Sequence, residues 1–242
     1  MTLELYHFDK STCSQKVRIC LAEKVLEWVN RQVDLPGGEH VMPAYLALNP
    51  NGVVPTLVHD GTPIIESTVI CEYLDELYPE EPRLSPGDAL DRAHMRAWLR
   101  YIDEVPSMAI RVPTFQKIQL PRFQRMTEEE FNAFVDRNPL RKPFLRRMGR
   151  SGFSTEDYGM AIEQLDQSLG RMEEALSEGS WLIRDHYSIA DICIAPLLQR
   201  MEDLGMAEMW TASRPRVSDW YARIRARPAY REAFYPGSLL AV

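Results

Sequence analysis

Apolar positions along this chain change their period once, and the change divides it. Thr2-Leu3-Glu4-Leu5-Tyr6-His7-Phe8 alternates, which predicts a strand over residues 3–8. Val17, Cys20, Leu21 and Val25 then recur at helical spacing and predict a helix over 14–25. Val29 to Leu35 returns to strand character, followed by the Gly37-Gly38 break and a short helical patch near Tyr45-Leu46. Two further strands are expected around Pro55 and Ile64. Val69, Ile70, Tyr73, Leu74 and Leu77 form a helical face that closes the unit near Tyr78. Pro79, Pro82, Pro86 and Gly87 mark a linker.

From Asp88 onward every period is helical. Leu90, Ala93, Ala97, Trp98, Tyr101 and Ile102 make one stripe. Tyr158, Ala161, Ile162, Leu165, Leu169, Met172 and Leu176 make a second, and Val217, Trp220, Tyr221 and Ile224 a third. Between the first two lies a proline-broken insert over about 113–154, with a short helix expected at Glu128–Val135. The predicted fold class is therefore α/β + all-α. A βαβ-ββα domain of the thioredoxin-like type occupies 1–80, and an all-helical domain occupies 88–242. A length of 242 residues suits two domains.

The net charge of −7 argues against a general nucleic-acid binder, which needs a basic surface to displace counterions. One basic run, from Arg137 to Arg150 and including Arg141, reads as a solvated, partly looped face, with an anion site or a dimer contact as the alternatives. No stretch approaches the roughly 18 apolar residues of a membrane span, and the N-terminus lacks a signal-peptide core. The four cysteines, Cys13, Cys20, Cys71 and Cys193, stand singly, which suits a reduced, cytoplasmic protein. No Cys or His cluster has zinc spacing, so no metal is expected.

Chemistry concentrates where strands give way to helices. Ser11-Thr12-Cys13-Ser14 sits between the first strand and the first helix. A helix start carries unpaired N–H groups and about half a positive charge, so a thiolate placed there is stabilised, and a hydroxyl donor adds to that. Lys16 excludes a Cys-x-x-Cys pair starting at Cys13 and disfavours a thioredoxin-type oxidoreductase. Glu66-Ser67 opens a second helix start. In the helical half, Ser188 with Asp191 reads as a capping box, and Tyr187 with Ile192 as its hydrophobic staple, a structural device.

Asn49-Pro-Asn-Gly-Val-Val-Pro-Thr56 followed by Glu66-Ser-Thr-Val-Ile-Cys-Glu-Tyr-Leu74 resembles the glutathione-binding half of the soluble glutathione transferases. Together with Arg92-Ala-His-Met-Arg96 and Met126-Thr-Glu-Glu-Glu-Phe131, the wording is most similar to the bacterial β-etherase branch, which cleaves β-aryl ethers of lignin fragments and carries a similar long insert. The Ser-Thr-Cys-Ser turn instead resembles zeta-class enzymes. The resemblance implies glutathione as co-substrate and a cis Val54-Pro55 peptide whose Val54 backbone pairs with the glutathione cysteine. It places Glu66 and Ser67 at the γ-glutamyl end, His40 at the glycyl end, and Thr12 beside the thiol.

For thiol activation it ranks Ser11 first, Ser14 second and Cys13 third. The second substrate, a small aromatic electrophile, is expected between the domains. Walls are expected from His7, Phe8, Asp9 and Lys10, from Tyr101, Met108, Ile110 and Phe115, and from Phe234 or Tyr235 near the tail. The expected reaction is thiolate attack on a carbon bearing an aryloxy or halide group. A zeta-like isomerase and a glutathione-binding protein with little turnover are the alternatives. A two-fold homodimer is expected from the same resemblance.

Overall fold

The computed structural model describes residues 2–80 and 82–240. Strands β1 (Leu3–His7), β2 (Val29–Gln32), β3 (Thr56–His59) and β4 (Thr62–Ile65) form one sheet in the order β2-β1-β3-β4. β1 and β2 are parallel because helix α1 (Thr12–Glu23) crosses between them, and the other pairs are antiparallel. A short helix α2 (Pro43–Leu46) and the longer α3 (Ser67–Leu77) complete the domain, as the alternation of periods predicts. Val25 is the exception. It lies past the end of α1 at φ 52° and is 85% exposed, so it is not on the core face.

Helix α1 is buried nearly all round, because the sheet covers one side and the helical half the other. That half comprises α4 (Ala89–Glu104), α5 (Pro106–Ala109), α6 (Arg111–Ile118), α7 (Leu120–Arg125), α8 (Glu128–Asp136), α9 (Lys142–Met148) and α10 (Thr155–Ala175). It continues with α11 (Ile189–Asp203), α12 (Glu208–Thr211), α13 (Pro215–Ala226) and α14 (Pro228–Ala233). Helix α11 is the central one, buried from Ile189 to Met201, and it packs on α1. The capping box at its start is present in both halves.

The face expected for α4 is corrected. Met95, Trp98, Leu99 and Ile102 point inward, whereas Leu90, Ala93 and Ala97 lie on the exposed side. Small and apolar residues sit on both faces of this helix, so spacing alone could not choose between them. The insert is not a loose loop. It folds as α6 to α9 around its own core of Phe123, Phe131, Val135, Leu145, Met148 and Phe153.

Polar ties cross the junction between the halves. Buried Lys16 donates to Asp103 Oδ1 at 3.0 Å, and Thr68 Oγ1 donates to Asp103 Oδ2 at 2.7 Å. Glu23 accepts a fork of two bonds from Arg227, at 2.6 and 2.8 Å. The thiols of Cys20, Cys71 and Cys193, far apart in sequence, meet here, and their hydrogen bonds together with burial push Cys71 well up.

His7 does not face a pocket. It is fully buried, with Nε2 against Asn30 Oδ1 at 2.9 Å and Nδ1 against Arg18 at 3.2 Å. Burial first, then the Arg18 guanidinium, push its pKa down to about 4. The unfolded chain therefore takes up this proton at a higher pH than the folded one, near 6.5. The stabilisation is complete above that value and is lost as pH falls towards 4. It is worth about 3 kcal/mol at most. Melting temperature should drop across this window, and His7→Gln should flatten the slope. An unchanged slope in the variant would assign the acid sensitivity elsewhere.

Candidate active site

The start of α1 faces a cavity of about 320 Å³ lying between the first domain and the insert. Ser11, Thr12 and Cys13 line it, together with Phe8 and Lys10 of the preceding loop and His40 and Val54. Ser11 holds extended backbone (φ −77°, ψ 121°) and caps the helix, its Oγ accepting the Ser14 N–H at 3.3 Å. Capping uses one lone pair of the hydroxyl and leaves its proton free to donate into the cavity. Cap and activating donor are therefore compatible roles for one residue.

Ser14 is corrected. It is fully buried, turned back so that its Oγ accepts from the Phe8 N–H at 3.4 Å, and it does not line the cavity. Its position after the cap rotates its side chain towards the β1–α1 turn rather than outward. Cys13 is half-buried and lines the cavity.

The Val54–Pro55 peptide is cis. Tyr45 and Asn49 brace the turn before it, both donating to the Val53 carbonyl, at 2.7 and 2.9 Å. Among the described residues the Val54 N–H and C=O have no hydrogen-bond partner, leaving an open backbone edge suited to an extended peptide. Glu66 stands at φ 69°, a strained conformation for a residue with a side chain, and accepts from Asn51 Nδ2 at 3.1 Å. No side chain caps α3, so its first N–H groups, beginning at buried Ser67, remain available for an anion. Pro55, Glu66 and Ser67 lie outside the lining of the main cavity.

His40, a lone loop histidine in sequence, is buried. Its Nε2 meets Asn138 Oδ1 at 3.2 Å, while Nδ1 has no partner among the described residues. Burial lowers its pKa, the Asn138 bond opposes that, and Arg141 and Arg122 add to the lowering.

The far wall differs from expectation. Phe115 and Ile110 line it, but Tyr101 and Met108 do not. Tyr101 turns into the bundle to meet Ser168 Oγ at 2.9 Å, and Met108 is surface-exposed beside Arg111. Asp9, Phe234 and Tyr235 also lie outside, since Tyr235 donates to Asp9 and sits under Arg18. Instead the insert supplies Ile118, Arg122, Phe123, Phe134, Asn138 and Arg141. Arg111 and Arg200 complete the polar lining. None of these four arginines was singled out as a cavity residue from sequence, although the run containing Arg141 carried an anion site among its alternatives.

A four-stranded sheet with a cis-proline turn, a helix start that presents a hydroxyl, and an all-helical second domain define a glutathione-dependent transferase. Family models for the glutathione S-transferase N-terminal and C-terminal domains match residues 5–82 and 120–223. Protein LigF of Sphingobium sp. (strain SYK-6) is 36% identical over 97% of this chain and 93% of its own length. The maleylacetoacetate isomerase of Pseudomonas aeruginosa is 33% identical over 96% of this chain and 95% of its own. The crystal structure of beta-etherase LigF from Sphingobium sp. strain SYK-6 superposes with a TM-score of 0.88 at 34% identity, covering 97% of this chain and 99% of that one. The chain belongs to the glutathione S-transferase family.

Proposed function

We propose that this transferase attacks the ether carbon of a β-aryl ether with the glutathione thiolate. A C–S bond forms at that carbon as its C–O bond breaks, and the electron pair leaves on the aryloxy oxygen. The thiol proton ends on the released phenol. The observation that carries the proposal is the cavity between the Ser11 turn and the aromatic wall of the insert. It has room for an arene beside a thiol held at Ser11. Similarity to a protein described as a beta-etherase supports the choice of substrate.

Ser11 is proposed as the thiol-activating hydroxyl, Val54 through its backbone and Thr12 beside it as partners of the cysteinyl unit, and Glu66 and Ser67 as partners of the γ-glutamyl end. His40 is proposed for the glycyl end. A second reading, glutathione-dependent isomerisation, is favoured by the Ser-Thr-Cys-Ser turn and by likeness to the maleylacetoacetate isomerase. Phenol release from a fluorogenic β-aryl ether with glutathione tests the first. Isomerisation of a maleyl substrate without such release would replace it with the second.

Glu66→Ala removes the counter-charge for the glutathione ammonium, a charged hydrogen bond worth about 1.5–3 kcal/mol. Glutathione affinity should fall roughly ten- to a hundredfold with the fold intact, because alanine keeps the same Cβ at this strained backbone. Calorimetry returning an unchanged Kd would refute the assigned pocket.

A homodimer belongs to the same proposal. Val69 is 50% and Leu90 60% exposed, and Ala93 and Ala97 share the exposed side of α4. The α4–α3 ion pair Arg96–Glu72 holds the two helices side by side. Light scattering should give twice the 28.0 kDa chain mass, and the single-chain value would exclude it. A reducing, cytoplasmic setting is proposed on the four unpaired cysteines.

A further inference from the structure

We propose that the insert-side wall of the cavity is a carboxylate receptor, in which Arg111 and Arg141 bind an ionised acid group carried by the second, aromatic substrate. This rests on the reading of the cavity as the second-substrate site. It adds the substrate's charge, which that reading leaves open.

The first support is the balance of charge. Lys10, Arg111, Arg122, Arg141 and Arg200 line the cavity, and no Asp or Glu does, in a chain whose net charge is −7. Arg200 is already held, by Asp203 at 3.8 Å and by the Lys10 carbonyl. The other three guanidiniums have no carboxylate partner among the described residues. Arg111 reaches only Met108 Sδ, at 2.8 Å, while Arg141 lies over the Phe115 ring at 5.7 Å and Arg122 over Phe134 at 5.2 Å.

The second support is the contrast within one basic run. Three of its outward members are neutralised, Lys142 and Arg146 by Asp136 and Arg147 by Asp157, while Arg137 and Arg150 donate to backbone carbonyls. The inward member, Arg141, is not neutralised. Burial, then repulsion from Arg111, push Arg141 down to about 10. Two like charges facing one poorly hydrated cavity are costly when it is empty and are relieved by an anion. A guanidinium matches a planar carboxylate with two parallel N–H bonds, which a lysine could not do.

The third support is the neighbourhood. Phe115, Phe123, Phe134 and Ile118 surround the arginines and suit an aromatic ring bearing the acid. Glutathione's γ-glutamyl carboxylate is assigned to the start of α3, outside this lining, whereas its glycyl carboxylate is assigned to His40, which shares the lining and feels Arg141 and Arg122. The glutathione affinity of the arginine variants therefore decides between that carboxylate and the other reactant.

The test uses 4-chloro-3-nitrobenzoate and its methyl ester, which present the same ring with and without the charge. Calorimetry is run with the full-length protein saturated with S-methylglutathione, which fills the glutathione site and cannot attack. The acid should bind at least about tenfold more tightly than the ester, as a charge-assisted pair requires. Arg111→Met and Arg141→Met should each bring the acid towards the ester's affinity, and Arg141→Lys should recover part of the loss. The Kd of glutathione should change less than about twofold in all three. Should Arg141→Met melt early, Arg111→Met carries the comparison.

Equal binding of acid and ester to the wild type overturns the proposal. So does a parallel loss of glutathione affinity, which would assign the arginines to the tripeptide. Turnover is scored separately, as phenol release from the fluorogenic β-aryl ether with glutathione. Preferential binding of the acid without any turnover leaves the receptor standing and removes the proposed reaction.

Discussion

Ser11→Ala should cut the rate of thiolate attack roughly 10- to 100-fold at neutral pH, with little change in glutathione affinity. A thiol of cysteine type has a pKa near 8.5 and is mostly protonated at pH 7. Removing one preorganised donor at a site of developing charge costs on the order of 100-fold or more. The loss is smaller here because the N–H groups at the start of α1 still act on the sulfur. The acidic limb of the pH–rate profile should move to higher pH, since the variant's bound thiol ionises later.

A purely structural role for Ser11 predicts something else. Its Oγ accepts the Ser14 N–H at 3.3 Å, and loss of a cap costs about 1 kcal/mol of stability. Ser11→Asp separates the two roles. It keeps a capping oxygen and places negative charge against the sulfur, so melting should hold while activity falls below that of Ser11→Ala. Cys13→Ala should leave the profile nearly unchanged. If the Ser11→Ala profile overlays the wild type, the assignment is wrong. If activity instead disappears in Cys13→Ala, the thiol is the working group.

How much of this was readable in the chain depends on the range of the interactions involved. The sheet, α1, α3 and the cap of α11 were legible because each is specified by residues within one or two turns of one another. The motif at Ser11 and the Val54-Pro55 turn were legible for the same reason. The far wall was not. Arg141 belongs to a run whose other members are solvent-facing, and only the packing of α6 to α9 around Phe123 and Phe131 turns it inward.

Tyr101 and Met108 were expected in the cavity as contributions from the first long helix of the second domain. A one-position difference in which face of α4 is buried sends Tyr101 to Ser168 instead. The signal that could have corrected this was the density of phenylalanines in the insert, which is high for a solvated loop. Six of them, Phe115, Phe123, Phe131, Phe134, Phe144 and Phe153, sit in or against one cluster.

The largest effect on folding should come from Asp191→Ala, which should destabilise the protein by on the order of 3–5 kcal/mol. Asp191 is fully buried at the third position of α11 and satisfies donors from three segments. Oδ1 accepts from the Leu182 N–H at 3.0 Å and from Trp220 Nε1 at 2.8 Å, and Oδ2 accepts from the Ser188 N–H at 3.0 Å. Burial pushes its pKa up, and these bonds oppose that shift. Alanine would strand these three N–H donors in the core, each at about 1–3 kcal/mol, take away the acceptor of the Ser188 hydroxyl and remove half of the capping box.

Asp191→Asn distinguishes the two contributions. Its carbonyl can keep the Leu182 and Trp220 bonds, but its amide nitrogen then faces the Ser188 N–H, donor against donor. It should lose about half as much as alanine. For a chain of this size about 2–4 °C of melting temperature accompanies each kcal/mol, so Asp191→Ala should melt roughly 10 °C lower. Helix α11 packs against α1, so the loss should also loosen the cap at Ser11, and activity should fail at a lower temperature than the global transition. Equal melting of Asp191→Ala and wild type would mean that the three donors find other partners and that the junction does not depend on this carboxylate.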